Sequence, residues 1–218
     1  MLKKLLKKFL FDNTCSLCYC EMTEENYICK RCREKLKKMG ELKKIENLYY
    51  LYYYSDINKI IYDLKFFNRK NISRDLKEII EVNLNKIIKK ENIDGVIIIP
   101  SSNKRKRERG YNQVEELLKG INCNIIISFR YKNTKQMYRI VEIEKRKENV
   151  KGIFKINDNI EGKNILIFDD IVTTGSTMNE MKKILEEMGT NKIIYFSLSV
   201  VKGYLKKIGM SDDGDIYK

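Results

Sequence analysis

The sequence predicts an α/β fold with an open parallel sheet flanked by helices, and three observations lead to it. Short apolar runs at residues 96–99, 125–129 and 165–168 are typical of parallel strands that are covered on both faces. The strands and the helical patterns between them indicate three strand–helix units of similar length. Groups that suit a ligand stand at the carboxyl ends of these strands, where open parallel sheets bind ligands.

The length and composition allow one domain of ordinary size with a small appendage. The chain has 218 residues, a hydrophobic fraction of 43% and a single proline. No apolar run reaches the ~18 residues that a membrane span needs. The lack of histidine excludes His-dependent nucleophile–base triads and His metal sites.

The chain is strongly basic, with 44 basic and 30 acidic residues and a formal net charge of +14. A basic surface of this size favours an anionic partner such as nucleic acid, a nucleotide or a phosphate-rich substrate. The basic residues are spread along the whole chain, however, and Lys, Ile and Asn are used heavily throughout. A compositional origin of the charge is therefore an equally good interpretation.

Residues 1–11 have the pattern of a short basic amphipathic helix, with apolar side chains on one face and lysines on the other. Such a helix can lie on a membrane surface, bind an acidic partner or pack on its own protein. The segment lacks the features of a secretory signal, so we expect a cytoplasmic protein.

Five of the six cysteines lie close together in the N-terminal region. Two C-x2-C pairs, Cys15 with Cys18 and Cys29 with Cys32, each form a tight knuckle that points two thiolates at one ion. Four thiolates predict a closed, structural zinc site without a catalytic role. Two disulfides or free thiols are the alternative, and Cys20 could replace Cys18 as a ligand.

The next region predicts one strand and two helices. Residues 48–54 are rich in tyrosine and form either a half-buried strand or a surface on which bases of single-stranded nucleic acid stack. Helices are expected at 56–65 and at 73–90, and Ser73 could cap the second.

A loop of hydroxyl and basic side chains follows the strand at 96–99. Its place at the carboxyl end of a strand makes it a reasonable pyrophosphate site. The residues concerned are Ser101, Ser102, Lys104 and Arg105. A helix over 109–119 and the strand at 125–129 come next, and then a polar stretch at 130–149. The basic residues of that stretch include Arg130, Lys132, Lys135, Arg139 and Arg146.

A short strand at 154–156 precedes the most informative part of the chain, residues 164–177. Asp169 and Asp170 stand where the strand at 165–168 should end, and two adjacent carboxylates suit the vicinal hydroxyls of a ribose. A hydroxyl-rich turn then leads into a helix at 178–188, and its groups suit a phosphate dianion. The turn residues are Thr173, Thr174, Gly175, Ser176 and Thr177. A last strand is expected at 192–200, before a polar tail from residue 211.

Residues 164–177 closely resemble the phosphoribosyl pyrophosphate (PRPP) signature of type I phosphoribosyltransferases. The resemblance implies that Asp169 and Asp170 are catalytic and hold the ribose hydroxyls, while the turn at 173–177 holds the 5′-phosphate. It also implies a pyrophosphate loop at 101–105 and a mobile basic loop within 130–149 that closes over PRPP. The fold it implies is the type I phosphoribosyltransferase-like open parallel sheet.

Further elements extend the resemblance over nearly the whole chain. They are the four-cysteine knuckle, Tyr54 with Lys65-Phe66, Pro100 with its basic loop, Arg109-Gly110-Tyr111-Asn112-Gln113, and the spaced set Arg130, Thr134, Gln136, Arg146, Asn149 and Phe154. Together they resemble the ComF family, also called ComFC, competence-associated proteins with an N-terminal zinc finger and a phosphoribosyltransferase-like domain. The family usually has a second proline or hydrophobic pair near the pyrophosphate loop, where this chain has Ser101-Ser102-Asn103.

This second resemblance implies the domain organisation and the partners. A basic helix and zinc knuckle occupy 1–40, and the phosphoribosyltransferase-like domain occupies 41–218, with hood elements at about 41–92 and a core at about 93–205. The implied ligands are PRPP with Mg²⁺ and a structural zinc ion. The implied setting is DNA uptake in natural transformation, with single-stranded DNA and a competence protein such as a helicase as partners. The implied location is cytoplasmic, with membrane association as a further option.

Three functions remain compatible with these residues. An enzyme would transfer the phosphoribosyl group to a nitrogenous acceptor and release pyrophosphate. A binding module would hold a phosphoribosyl group without chemistry while its basic surface handles single-stranded DNA, and a regulator would sense PRPP. The segment that should hold an acceptor base follows no recognisable pattern, so the sequence does not identify an acceptor.

Overall fold

The computed structural model describes residues 14–22, 27–66, 69, 71–101, 107–108, 110–130 and 154–209. The expected helix at 1–11, most of the basic stretch at 130–149 and the tail from residue 211 lie outside the described residues. So do the following residues singled out in the sequence: Ser102, Lys104, Arg105, Arg109, Lys132, Lys135, Arg139 and Arg146.

Within the described part of the chain, six strands form one sheet and two more form a small ribbon. The strands are β1 (Lys43–Ile45), β2 (Leu48–Tyr53), β3 (Gly95–Ile98), β4 (Ile125–Ile126), β5 (Ser128–Arg130), β6 (Phe154–Ile156), β7 (Asn164–Val172) and β8 (Lys192–Val200). The helices are α1 (Lys30–Met39), α2 (Tyr54–Phe66), α3 (Ile72–Glu91), α4 (Gln113–Leu118), α5 (Ser176–Glu187) and α6 (Lys202–Lys207).

The order of the main sheet is β1-β2-β8-β7-β3-β4. Strand β1 runs antiparallel to β2, and all the other neighbours are parallel. This arrangement confirms the expected open sheet flanked by helices, which is parallel except for the edge strand β1. Residues 41–92, expected to form hood elements, also supply two strands of the sheet itself.

The central strands β7 and β8 are buried on both faces. Neighbouring residues of a strand point to opposite faces, so alternate side chains of β7 enter different apolar layers. Leu166 and Phe168 lie in the layer with residues of α2, α3 and α4, whereas Ile165 and Ile167 lie in the layer with residues of α5. All four are inaccessible to solvent. Two covered faces explain why this strand reads as a continuous apolar run.

The tyrosine-rich segment is sheet rather than a base-stacking surface. Tyr49, Tyr50 and Tyr52 of β2 are all buried, because β2 lies between β1 and β8 and has helices against it. The hydroxyl of Tyr52 donates a hydrogen bond to the carbonyl of Leu36 at 2.8 Å, which ties the strand to α1. Buried phenol rings cannot stack on nucleic-acid bases, so that alternative is wrong for these three residues.

Helix α3 begins one residue earlier than its expected cap. The backbone of Asn71 is already helical, and Ser73 is buried within the first turn rather than capping it. The helix ends at Glu91, and the left-handed backbone of the following residue, Asn92, terminates it. None of the helices in the described part of the chain has both the length and the apolar character that a membrane crossing requires.

The apolar run at 125–129 is not the buried strand that we expected. It divides into β4, a two-residue edge strand of the main sheet, and β5, which pairs with β6 in an antiparallel ribbon. The side chains of Ile127 and Phe129 are therefore half exposed or more. An apolar run alone does not distinguish a central strand from an edge strand, and this explains the error. The short strand at 154–156 is confirmed by its pairing with β5.

Candidate functional site

The acidic pair lies inside β7 rather than after it, since the strand continues to Val172. Asp170 is 2% exposed and Asp169 is half-buried. The Oδ2 atom of Asp170 accepts hydrogen bonds from Lys65 Nζ at 3.0 Å and from Gln113 Nε2 at 3.2 Å. The Oδ1 atom of Asp169 accepts one from the backbone N–H of Asp170 at 2.9 Å. Helices α2 and α4 thus hold one carboxylate in place, while the backbone orients the other.

Burial raises the pKa of the Asp169 carboxyl well above its ordinary value, and the negative charge of Asp170 raises it further. The backbone N–H of Asp170 and the positive charge of Lys65 act in the opposite direction. Adjacent carboxylates in a partly buried site repel each other, and a nearby cation or hydrogen-bond donor relieves the repulsion. The pair is therefore well suited to accept hydroxyl hydrogens from a ligand.

The turn after β7 depends on a glycine. Gly175 has a φ of +71°, and a Cβ atom placed there would come within 2.6 Å of the Tyr204 ring. Only glycine satisfies both conditions without strain. The turn leads directly into α5, and the Oγ atoms of Thr174 and Ser176 lie 2.8 Å apart at the start of that helix. Hydroxyls and amide groups at the start of a twelve-residue helix form a favourable place for a phosphate.

The acidic pair and part of the turn line one cavity of about 500 Å³. The residues predicted to bind the ligand that line it are Ser101, Arg130, Asp169, Asp170, Thr173 and Thr177. These residues come from the ends of β3, β5 and β7, so the cavity lies at the edge where the sequence places ligand groups. Thr174, Gly175 and Ser176 complete the same turn but are not in the cavity lining.

Helix α4 connects the expected pyrophosphate loop to the acidic pair. The hydroxyl of Ser101 donates to Asn112 Oδ1 at 3.1 Å, and the same Oδ1 caps the helix by accepting the Val114 N–H at 3.1 Å. This cap positions Gln113 against Asp170. Gln113 belongs to the Arg-Gly-Tyr-Asn-Gln motif, but nothing in the motif itself predicts its contact with Asp170.

Helix α2 forms the wall that sequence reasoning missed. Tyr54, Tyr62, Lys65 and Phe66 all line the cavity. The rings of Tyr62 and Phe66 are 4.8 Å apart and are 48% and 63% exposed. The pattern of Tyr54 with Lys65-Phe66 was visible in the sequence, but nothing there indicated that this helix faces a strand more than 100 residues further on.

The four predicted cysteine ligands come together near the C-terminal end of α2. The Sγ atoms of Cys15, Cys18, Cys29 and Cys32 all lie within 4.8 Å of one another. The Sγ atoms of Cys18 and Cys29 are 3.8 Å apart, which is about the spacing of two thiolates that share a tetrahedral zinc ion at Zn–S distances of about 2.3 Å. Cys20 is exposed and is not part of the cluster. The cluster is compatible with a structural zinc ion and agrees with the C-x2-C pairing.

A buried ion pair joins the cysteine cluster to α2. Arg69 donates to Asp63 Oδ2 at 2.9 Å, and both side chains are almost inaccessible. The same guanidinium donates to Ser16 Oγ at 3.2 Å and lies 4.8 Å from the centre of the Tyr27 ring. Asp63 precedes the cavity residue Lys65 by two positions, so the cluster and the cavity are attached to opposite sides of one helix end.

Comparisons with known proteins find a matching domain model and several named relatives. Residues 112–208 match the family model of the phosphoribosyl transferase domain. Competence protein F of Haemophilus influenzae is 25% identical over 210 residues, which cover 90% of this chain and 87% of that protein. Competence protein ComFC of Streptococcus pneumoniae is 31% identical over 135 residues, 61% of each chain. DNA utilization protein YhgH of Escherichia coli K12 is 24% identical over 186 residues, 80% of this chain and 78% of that protein.

Two solved adenine phosphoribosyltransferase structures resemble the chain more distantly. One aligns with 80% of this chain and 92% of its own, with a TM-score of 0.44 and 14% identity. The enzyme from Saccharomyces cerevisiae aligns with 85% of this chain and 96% of its own, also with a TM-score of 0.44 and 14% identity. The domain match and the named relatives, rather than these structures, support a phosphoribosyltransferase-like protein of the ComF family.

Proposed function

We propose that the cavity beside Asp169 and Asp170 binds PRPP or another 5-phosphoribosyl ligand, and that the protein acts in DNA uptake. One observation carries the first part. An acidic pair that suits ribose hydroxyls and a hydroxyl-rich turn at a helix start line or adjoin the same cavity of about 500 Å³. The relatives named as competence and DNA utilization proteins support the second part.

In this proposal the two carboxylates accept hydrogen bonds from the 2′ and 3′ hydroxyls of the ribose. The hydroxyls and amide groups of 173–177 hold the 5′-phosphate, and Ser101 and Arg130 meet the pyrophosphate. Mg²⁺ bound with PRPP would neutralise charge on the pyrophosphate, and carboxylates are the oxygen donors that suit it. Negative charge from Asp169 and Asp170 would stabilise the positive ring that forms as pyrophosphate departs.

A second candidate function is single-stranded DNA handling without chemistry. The net charge of +14 favours it, because a basic protein neutralises phosphates and releases counterions. Such binding should weaken steeply as salt rises, whereas phosphoribosyl transfer should release pyrophosphate when a suitable acceptor is present. Measuring oligonucleotide affinity across salt concentrations and pyrophosphate release across purine and pyrimidine acceptors separates the two functions.

Calorimetric titration tests the proposed ligand site. We expect wild-type protein to bind PRPP, and to bind ribose 5-phosphate more weakly because the latter lacks the pyrophosphate contacts. Glucose 6-phosphate is the control, since it carries a phosphate but lacks a five-membered ring with its diol in the same position. Equal binding of all three sugars would show only general affinity for phosphate and would contradict the proposal.

The four-cysteine cluster is the zinc site in this proposal, and Cys15→Ala is expected to abolish stoichiometric zinc. Cys15 is inaccessible to solvent and its Sγ lies among the other three. Structural zinc in small domains contributes on the order of 10 kcal/mol of apparent binding free energy, so the thermal midpoint should fall as well. Elemental analysis and thermal melting measure both effects.

Cys20→Ala is the matched control for the zinc site, because Cys20 is exposed and stands outside the cluster. It should retain one zinc ion per chain and the wild-type melting temperature. Zinc retained in full by Cys15→Ala, or lost from Cys20→Ala, would refute this ligand set.

A further inference from the structure

The side chain of Lys65 enters the cavity and pairs with Asp170, although neither the sequence nor the proposed contacts give it a role. Its Nζ atom is 3.0 Å from Asp170 Oδ2, and the side chains are 18% and 3% exposed. Gln113 donates to the same oxygen at 3.2 Å. The ammonium group of Lys65 is therefore held at the acidic pair by an ion pair with Asp170, and solvent screens this ion pair only slightly.

The charges of a phosphoribosyl ligand make such a cation useful. Two adjacent carboxylates would repel a ligand that carries a phosphate, and burial strengthens the repulsion. A divalent metal ion commonly relieves this repulsion. Here Lys65 already faces Asp170 from helix α2, and Arg130 is the other basic residue among the described residues that line the cavity.

We infer that Lys65 is a resident counter-ion of the acidic pair, which allows the cavity to bind a ribose 5-phosphate group without a divalent metal ion. The inference rests on the proposed function, because it concerns the same ligand site. It also predicts competition: an ammonium group and a divalent ion use the same carboxylate oxygens, so free metal should bind poorly while Lys65 is in place. Lys65 is a positioning residue in this scheme, since it acts through Asp170.

Ribose 5-phosphate affinity, measured by calorimetry in EDTA and again in Mg²⁺, tests the inference. Wild type should bind equally well in both buffers. Lys65→Met should bind at least about tenfold more weakly in EDTA, because it leaves a buried carboxylate without its cation. Mg²⁺ should restore most of that loss. Lys65→Arg keeps the charge and should remain within about threefold of wild type in both buffers.

Lys59→Met is the matched control variant. Lys59 lies on the same helix and pairs with the buried carboxylate of Asp63 at 2.6 Å, but its partner faces Arg69 and the cysteine cluster. The variant removes a comparable ion pair from α2. It therefore shows how much ribose 5-phosphate affinity is lost when an ion pair of this helix is broken away from the cavity. It should bind ribose 5-phosphate like wild type in both buffers.

A second readout is the affinity for Mn²⁺ in the absence of sugar, followed by its electron paramagnetic resonance signal. Lys65→Met should bind Mn²⁺ at least about tenfold more tightly than wild type, because both carboxylates become available to the metal ion. Removing a residue that only supports the fold would not increase the affinity for the metal ion. The expected effects on sugar and metal therefore have opposite signs.

The possible results separate this inference from the proposed function. Wild-type protein that binds ribose 5-phosphate only when Mg²⁺ is present overturns the role of Lys65 and leaves the ligand site standing. The role of Lys65 is also overturned, and the ligand site still stands, if Lys65→Met binds like wild type or loses affinity equally in EDTA and Mg²⁺. Wild type that binds neither ribose 5-phosphate nor PRPP in either buffer refutes the ligand site itself and the inference with it.

Discussion

The double variant Asp169→Asn, Asp170→Asn is expected to lower PRPP and ribose 5-phosphate affinity by at least about a hundredfold. Each carboxylate would accept a hydrogen bond from a ribose hydroxyl, and a hydrogen bond to a charged group contributes about 1.5–3 kcal/mol. Asparagine preserves the shape of the side chain and removes the charge. Calorimetric titration of both ligands into the variant measures the loss.

The single variants show which carboxylate matters more. Asp170→Asn leaves Lys65 without its buried anionic partner. The loss of affinity in this variant therefore combines a lost ligand contact with a disturbance of helix α2. The hydrogen bond that Asp169 accepts at 2.9 Å comes from a backbone N–H rather than from a charged side chain, so Asp169→Asn is the cleaner measure of ligand contact. Asp158→Asn, at an exposed position before β7, is the control and should bind like wild type. Wild-type affinity in the double variant, with the fold intact by circular dichroism, would contradict the assignment of the acidic pair.

The local parts of the site were predictable because they are contiguous in the sequence. The order of apolar strand, two acids and hydroxyl-rich turn predicted the strand and the helix that follows it. The cysteine spacing predicted the cluster that the structure brings together. The length of β7 was not predictable in the same way. It continues through Asp170 to Val172 because β8 offers backbone partners along its whole length, and aspartate has a low strand propensity of its own.

The remote wall of the cavity could not be found from local patterns. Lys65 and Gln113 meet at Asp170 although they are separated from it by more than 100 and more than 50 positions. Lys65 reaches Asp170 because β2 joins the sheet beside β8, which places α2 at the carboxyl ends of the strands. Gln113 reaches it from α4, which follows β3. The spacing of apolar residues in α2 shows which face is buried, but it does not show what lies beyond the helix end.

Removing the buried Arg69 guanidinium is expected to destabilise the protein by about 3 kcal/mol, at the lower end of the range for breaking a buried ion pair. The partner carboxylate of Asp63 is inaccessible to solvent, so Arg69→Met would leave it inside with less compensation. Lys59, at 2.6 Å, still pairs with it, and for this reason we expect the smaller value. For a chain of this size the thermal midpoint should fall by roughly 6–12 °C, which thermal melting followed by circular dichroism measures.

Two further variants show whether burial causes this effect. Lys37→Met breaks the pair of Lys37 with Glu78 at 2.6 Å, but those side chains are 50% and 69% exposed, so the loss should stay below about 1 kcal/mol. Asp63→Leu combined with Arg69→Met removes both buried charges and should be less destabilised than Arg69→Met alone. If the double variant is instead the less stable one, Asp63 stabilises the fold even without Arg69, and the argument from an uncompensated buried charge fails. Because Arg69 also contacts Ser16 and Tyr27, the same melting curves indicate how firmly the cysteine cluster is attached to the helix that lines the cavity.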